Sequence, residues 1–320
     1  MSAGAAVSPA RVTVVIVSWN CWHHLMPCLR SLRASSFRDL EIVVIDNGSV
    51  DGTIERLEKS FPEVRLIRNA DNVGHTRAVN QGFRAARGEL AMVLDADTEI
   101  DPAALSEMVG FLDANPDVGL VAPRAFNSDG TVQESARNFP SPINGLFGRQ
   151  SALTRLFPDN PFTRRYLKRE CVHATQPFQV ESVAASCMLL RKSLIDRLGE
   201  WDEGYFAYFV DTDWCYRLKK AGERVFCVPG ARLVHHEQNR PTNKRSARRI
   251  WLFHEGALRF YRKNRTFGWL DPRTLVAAAA LVTRAGVLIA LNALRGSAPA
   301  APAAAPEVAG PKMPTLPEKR

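Results

Sequence analysis

Two rhythms of apolar residues alternate along the early part of this chain. Residues 12–17 are a β-branched run, Val-Thr-Val-Val-Ile-Val, which predicts a strand buried on both faces. Leu25, Cys28, Leu29 and Leu32 then recur at helical spacing. A second run, residues 41–45, precedes a helix carrying Ile54, Leu57 and Glu58, with Asp51 placed to cap it. Further strands are predicted over 64–67, 90–94 and 118–121, separated by helices over 73–87 and 102–112. Such alternation predicts an α/β fold with a doubly wound layer, right-handed crossovers, and functional groups gathered where the strands end.

The rhythm breaks at residues 138–179, which are rich in Pro, Arg, Phe and Asn and read as a long loop with short helices over the site. Order resumes with one strand over 180–190, a short helix over 192–198 closed by Gly199, and a helix over 211–221. Two short strands follow, 224–228 and 231–234, then helices over 248–262 and 274–294. The expected organisation is a flexible segment 1–10, a catalytic unit 11–239, a helical extension 240–296 and a disordered Ala/Pro-rich tail 297–320.

Charge is unevenly placed. Residues 240–295 hold 12 Lys/Arg against 2 Asp/Glu, whereas residues 1–239 hold 27 against 29. The net charge of +9 therefore belongs to one C-terminal region, of a kind that contacts anionic lipid or nucleic acid. The 6 cysteines form no C-x-x-C pair, which predicts reduced, cytosolic thiols and no zinc cluster. Residues 1–10 lack a positive n-region and an apolar h-region, so no signal peptide is expected.

The fourth strand ends in Asp95-Ala96-Asp97. In an extended chain residues two apart project to one side, so these carboxylates can converge at a strand mouth. Two hard oxygen donors there suit Mg²⁺ or Mn²⁺ bridging to a diphosphate, although a polar strand end running into a cap, with Thr98 and Asp101 before Pro102, fits the same residues. Other strand ends carry Ser18-Trp19-Asn20 and Asp46-Asn47-Gly48-Ser49, suited either to a base edge and ribose hydroxyls or to turn chemistry. Asn72, Gly74 and Asn80 open the third helix, with Asn80 two turns in; His75 reads as an exposed helix residue. The pair Asp211 and Asp213 opens a helix after an aromatic run; one acid can cap it, leaving the other for base work. His235 and His236 follow a short strand, where an imidazole can serve a metal or the structure. Neither G-x-G-x-x-G after the first strand nor G-x-x-x-x-G-K-[ST] occurs, which excludes a nicotinamide-type dinucleotide fold and a P-loop.

In this order, from residue 12 to residue 236, the motifs resemble those of family-two inverting glycosyltransferases, most closely a bacterial rhamnosyltransferase-type branch. The resemblance implies a GT-A type doubly wound mixed sheet, with a Rossmann-like nucleotide-binding half, an acceptor half and a C-terminal helical extension. It implies a nucleotide-diphosphate sugar donor, with dTDP-rhamnose favoured, and a glycan or lipid-linked acceptor. Asp46 would contact the base, Asp95 the ribose or sugar, and Ser18, Asn20, Asn47, Asn72 and Asn80 the rest of the nucleotide. Asp97 would hold the metal with His235 as a further ligand, Asp211 would be the general base, and Ala185, Asp213 and Trp214 would line the donor or acceptor pocket. Three positions depart from the family pattern. Val210 stands where a Glu often precedes the base, Ala185 replaces a common Gly, and Gln238 and Asn239 replace residues usual after the late His.

Two other classes remain as alternatives. A nucleotidyltransferase would carry a Gly- and Lys/Arg-rich loop after the first strand, where this chain has Ser18-Trp19-Asn20-Cys21-Trp22. A nucleic-acid binder would use the basic C-terminal region, but its interleaved Trp251, Phe253, Phe260, Tyr261 and Trp269 suit a lipid headgroup layer equally. The expectation is no nucleic acid and peripheral attachment to the cytoplasmic face of an anionic membrane. Residues 274–294 are long enough to span a bilayer, but Arg284 at their middle would cost roughly 2.5–3.5 kcal/mol there.

Overall fold

The computed structural model describes residues 10–141, 154, 156–236, 246–266 and 268–294. Most of the expected flexible N-terminal segment, part of the loop over the site, Gln238, Asn239 and the Ala/Pro-rich tail lie outside them.

The predicted alternation is present. Strands β1 (Val12–Ser18), β2 (Leu40–Asp46), β3 (Arg65–Arg68) and β4 (Leu90–Asp95) lie parallel in the order β3-β2-β1-β4. Helices α1 (Trp22–Arg33), α2 (Thr53–Ser60) and α3 (His75–Ala85) connect them. β1 and β4 are buried almost throughout, as continuous β-branched and Leu/Met runs require when helices cover both faces. α3 packs so closely on β1 that a Cβ at Gly82 would lie 2.1 Å from Val15, so only glycine fits there.

The second half departs from a simple parallel layer. After β5 (Thr98–Ile100), α4 (Ala104–Ala114) and β6 (Val118–Phe126), the run expected to be one strand over 180–190 splits into three. With β7 (Ala136–Arg137) already formed, β8 (Phe178–Val180) joins the sheet edge and β9 (Ser182–Val183) pairs with β7. β10 (Cys187–Arg191) inserts antiparallel between β4 and β6. The two short strands expected near 230 are one strand, β11 (Arg224–His235), with a register shift between Val228 and Arg232 around Pro229, where a ladder tolerates proline. The full order is β3-β2-β1-β4-β10-β6-β11-β5, and β8 also pairs with β11. Thr98, read as a cap, instead begins β5, while Asp101 accepts the Ala103 N–H before α4 as expected.

Further helices among the described residues include α5 (Pro161–Tyr166), α6 (Lys192–Leu198), α7 (Val210–Lys220), α8 (Ala247–Asn264) and α9 (Pro272–Leu294). α8 is tied into the catalytic layer. Its Phe260 is buried against Phe139, Phe209 and Tyr216, and Lys263 and Asn264 bond Asp213 of α7. α9 packs back on α8, and Arg284 lies 2.8 Å from Nε2 of buried His254. The Arg284 charge therefore faces α8, leaving Leu275, Val276, Val282, Val287 and Leu291 exposed on α9.

Candidate active site

Asp95 is the last residue of β4, and Asp97 sits in the two-residue turn that follows, not in extended chain. The turn sends the chain into β5, which pairs antiparallel with the end of β11, and the Asp97 carbonyl accepts the His236 N–H at 2.8 Å. This crossing brings His235 to the β4 mouth. His235 Nε2 is 3.3 Å from Asp97 Oδ1 and 3.9 Å from Asp95 Oδ2. One ligand atom from each of the three lies within 4.8 Å of the others. His236 takes the opposite side, with Nε2 on Glu99 and Nδ1 on Ser128. Of the two histidines, the geometry thus brings His235 into the cluster.

Two carboxylates and an imidazole at this spacing fit a small divalent cation, whose charge would relieve the repulsion between the acids. Burial pushes the Asp95 carboxyl above its ordinary value, against His75, while Asp97, His235 and Asp211 also act on it. Burial would raise Asp97 as well, but the facing His235, with His24, more than offsets it, and that carboxyl lies below the usual range.

Asp211, in the first turn of α7, is close enough to act on Asp95 electrostatically. Its Oδ1 accepts the Thr212 N–H at 2.7 Å, and its Oδ2 lies 3.5 Å from the Arg137 guanidinium. Arg137, on β7, was not singled out from the sequence; nothing in its local pattern signals that β7 folds back onto α7. His75 was read as an exposed helix residue. It is partly buried at the start of α3, with its ring 6.1 Å from Trp201.

At the neighbouring strand ends, Ser18 and Asp46 are register partners of β1 and β2. Asn20, in a left-handed conformation with φ 48, accepts the Val50 N–H and so ties the two loops together. Asp46 Oδ2 accepts the Ser49 N–H, while buried Oδ1 has no donor among the described residues. Asn47 spends its amide on the third loop, donating to Asn72 and accepting from Asn69 and Val73. Asn72 also accepts the Gly74 N–H at 3.0 Å. Ala185 is partly buried and precedes Ser186, whose carbonyl accepts the Asp95 N–H. Ser18, Asn20, Asp46, Asn47, Asn72, Asp95, Asp97, His235 and Asp211 thus lie at adjoining strand and helix ends.

Three expected site residues are elsewhere. Asn80 is buried in α3 and clamps Trp201, donating to its carbonyl at 2.9 Å and accepting its N–H at 3.0 Å. Helical spacing turned it toward the core packing instead of the loops at the ends of β1 and β2. Trp214 is fully buried and donates to the Gly199 carbonyl. Asp213 is also fully buried, 3.2 Å from the Tyr205 hydroxyl, 2.9 Å from Lys263 and 2.8 Å from Asn264. A buried carboxylate with these partners holds α8 on α7. Asp213→Ala should cost roughly 1–3 kcal/mol by leaving the buried Tyr205 hydroxyl and the Asn264 amide without their acceptor, while exposed Lys263 keeps Asp202, read as a lower urea midpoint. Donor affinity of the folded protein should stay unchanged; its loss at parental stability would instead make Asp213 a ligand contact.

Comparison with known proteins adds an independent line. Residues 13–198 match the family described as Glycosyl transferase family 2. An N-acetylglucosaminyl-diphospho-decaprenol L-rhamnosyltransferase of Mycobacterium tuberculosis is 30% identical over 288 residues, covering 86% of this chain and 92% of that protein. A mannosyltransferase of Pyrobaculum calidifontis solved with GDP-Man and Mn²⁺ superimposes with a TM-score of 0.54 at 20% identity, over 90% of this chain and 76% of that one. GalNAc-T7, solved with UDP, GalNAc and Mn²⁺, gives 0.60 at 18% identity, over 80% of this chain and 48% of that one. The mixed sheet is therefore of the GT-A type.

Proposed function

As the chain belongs to glycosyl transferase family 2 and is a hexosyltransferase, we propose that it is an inverting enzyme moving rhamnose from dTDP-rhamnose to a polyprenyl-diphosphate-linked sugar. The observation that carries this reading is the convergence of Asp95, Asp97 and His235 beside Asp211 at the ends of β4, β11 and α7. The M. tuberculosis relative, which matches along most of both chains, supports rhamnose as the sugar and a polyprenyl-diphosphate-linked acceptor; the dTDP carrier comes from the motif resemblance.

Asp46 binds the nucleotide in this reading; a base N–H or ribose O–H would satisfy its open Oδ1. Ser18, Asn20, Asn47 and Asn72 shape the same pocket. Asp97, His235 and Asp95 would hold Mg²⁺ or Mn²⁺, which when bound supplies positive charge against the departing diphosphate. Asp211 takes the proton of the acceptor hydroxyl as it attacks the anomeric carbon from the face opposite the diphosphate. Arg137 keeps the Asp211 carboxylate aimed, since it contacts Oδ2 while Thr212 holds Oδ1.

A lipid-linked acceptor requires a membrane surface. α9 is long and apolar enough to cross a membrane, and its exposed row Leu275, Val276, Val282, Val287 and Leu291 lies near exposed Trp269 and Leu270. Exposed Arg248 and Arg249 at the start of α8 add cationic charge, so the protein attaches to an anionic cytoplasmic leaflet with α9 in the interface. The test uses the full chain with anionic vesicles carrying a polyprenyl-diphosphate-linked N-acetylglucosamine and a panel of dTDP-, UDP- and GDP-sugars. Transfer from dTDP-rhamnose, with flotation weakened by salt and by Val276→Asp with Val287→Asp, is the expected result. Transfer from another donor only would overturn the rhamnose assignment; a chain that ignores such vesicles at low salt would overturn the membrane assignment.

A further inference from the structure

We infer that Gln133 is a positioning residue that holds His235 in the tautomer bearing its proton on Nδ1, so that Nε2 faces Asp95 and Asp97 as a ligand atom. The inference rests on reading those three residues as the cation site. It comes from a line of side-chain hydrogen bonds running through the turn after β6, in which each donor is fixed by the one before.

The line begins at Asp129, an exposed carboxylate that can only accept. The Thr131 hydroxyl is 2.6 Å from Asp129 Oδ1 and must donate to it. Its oxygen is then an acceptor for Asn127, 2.8 Å away, so the NH₂ of that amide faces Thr131. Asn127 Oδ1 consequently faces Gln133 and takes its NH₂ at 3.0 Å. The Gln133 amide is thereby oriented with Oε1 toward His235 Nδ1, at 2.9 Å. A carbonyl oxygen cannot donate, so Nδ1 carries a proton; Nε2 is turned to two carboxylates that also only accept, where a bound cation would take the place of a second proton.

Burial makes this orientation firm. Gln133 is only 6% exposed, and reversing its amide would set an NH₂ against the Nδ1 proton and an oxygen against Asn127 Oδ1. Outer groups of this kind, which fix a ligand imidazole's tautomer and direction, typically change metal affinity 10–100-fold when removed. Nothing in the residues 127–133 marks this role along the sequence, because the contact spans 102 positions.

The experiment reads two quantities on the full chain: the ¹⁵N tautomer signature of His235 with saturating Mg²⁺, assigned by its loss in His235→Ala, and Mn²⁺ affinity by calorimetry. The Mg²⁺-loaded parent should show the Nδ1–H form. Gln133→Leu should bind Mn²⁺ about 10–100-fold more weakly. Gln133→Glu combined with Asn127→Ala keeps an acceptor at Nδ1 without setting a second oxygen against Asn127 Oδ1, and should keep both the tautomer and Mn²⁺ binding, which a merely packing role would not require. An Nε2–H signature in the parent overturns the inference whatever the variants do. Equal Mn²⁺ affinity in parent and Gln133→Leu overturns the role of Gln133 alone, whereas a parent chain that binds no Mn²⁺ at millimolar concentration overturns the cation reading itself.

Discussion

Asp211→Asn is expected to lower transfer by about 10²–10⁴-fold, the scale of a lost general base, with little change in donor affinity. The substitution keeps the size of the side chain, and its carbonyl oxygen can still accept from Thr212, which the carboxylate holds at 2.7 Å. What is removed is the capacity to take a proton at Oδ2, the oxygen that faces Arg137. Val210 precedes it, so no neighbouring acid stands in, and the loss should not be shared. Single-turnover transfer and donor titration separate the two quantities. Collapse of donor binding with transfer chemistry intact would make Asp211 a nucleotide ligand.

The second large effect is expected at Asp97. A cation that offsets developing negative charge contributes several kcal/mol to the barrier, so Asp97→Ala should reduce transfer by at least about 10³-fold and remove Mn²⁺-dependent donor binding. The fold should survive. Asp97 lies in the turn after β4, partly exposed, and its removal deletes one of two like charges facing each other. The thermal unfolding midpoint without metal should fall only slightly, by the loss of the His235 contact, and less than in Asp213→Ala, whose carboxylate is fully enclosed. Full activity of the parent in chelator, with no bound metal, would refute the role.

The contrast between these two acids shows where sequence reading reaches and where it stops. The strands β1, β2 and β4 were legible because a strand buried on both faces must be an unbroken apolar run, and its polar end marks the mouth of the sheet. Asp46, Asp95 and Asp97 were legible for the same reason. Helix α7 and its opening acids were also legible, but their surroundings were not: Asp211 stands against Arg137 and Asp213 in the core, a matter of which side of the helix α8 covers.

By itself, the sequence determined the alternation of elements, the acidic strand mouth, the order of motifs and the basic, aromatic C-terminal region, all consequences of local periodicity and chemistry. Only the tertiary structure decided the rest. The apolar stretch 180–190 became three strands because hydrogen-bonding edges were open at β4, β6, β7 and β11, and periodicity carries no record of which edge is free. His235 was selected over His236 because β5 and β11 pair in a register that turns one imidazole to Asp97 and the other to Glu99. Asn80 was withdrawn from the strand-end loops by a clamp on Trp201, and Arg284 was turned into a partner of His254. Each is a contact between residues far apart in the chain, where side-chain direction is set by packing that no local pattern encodes.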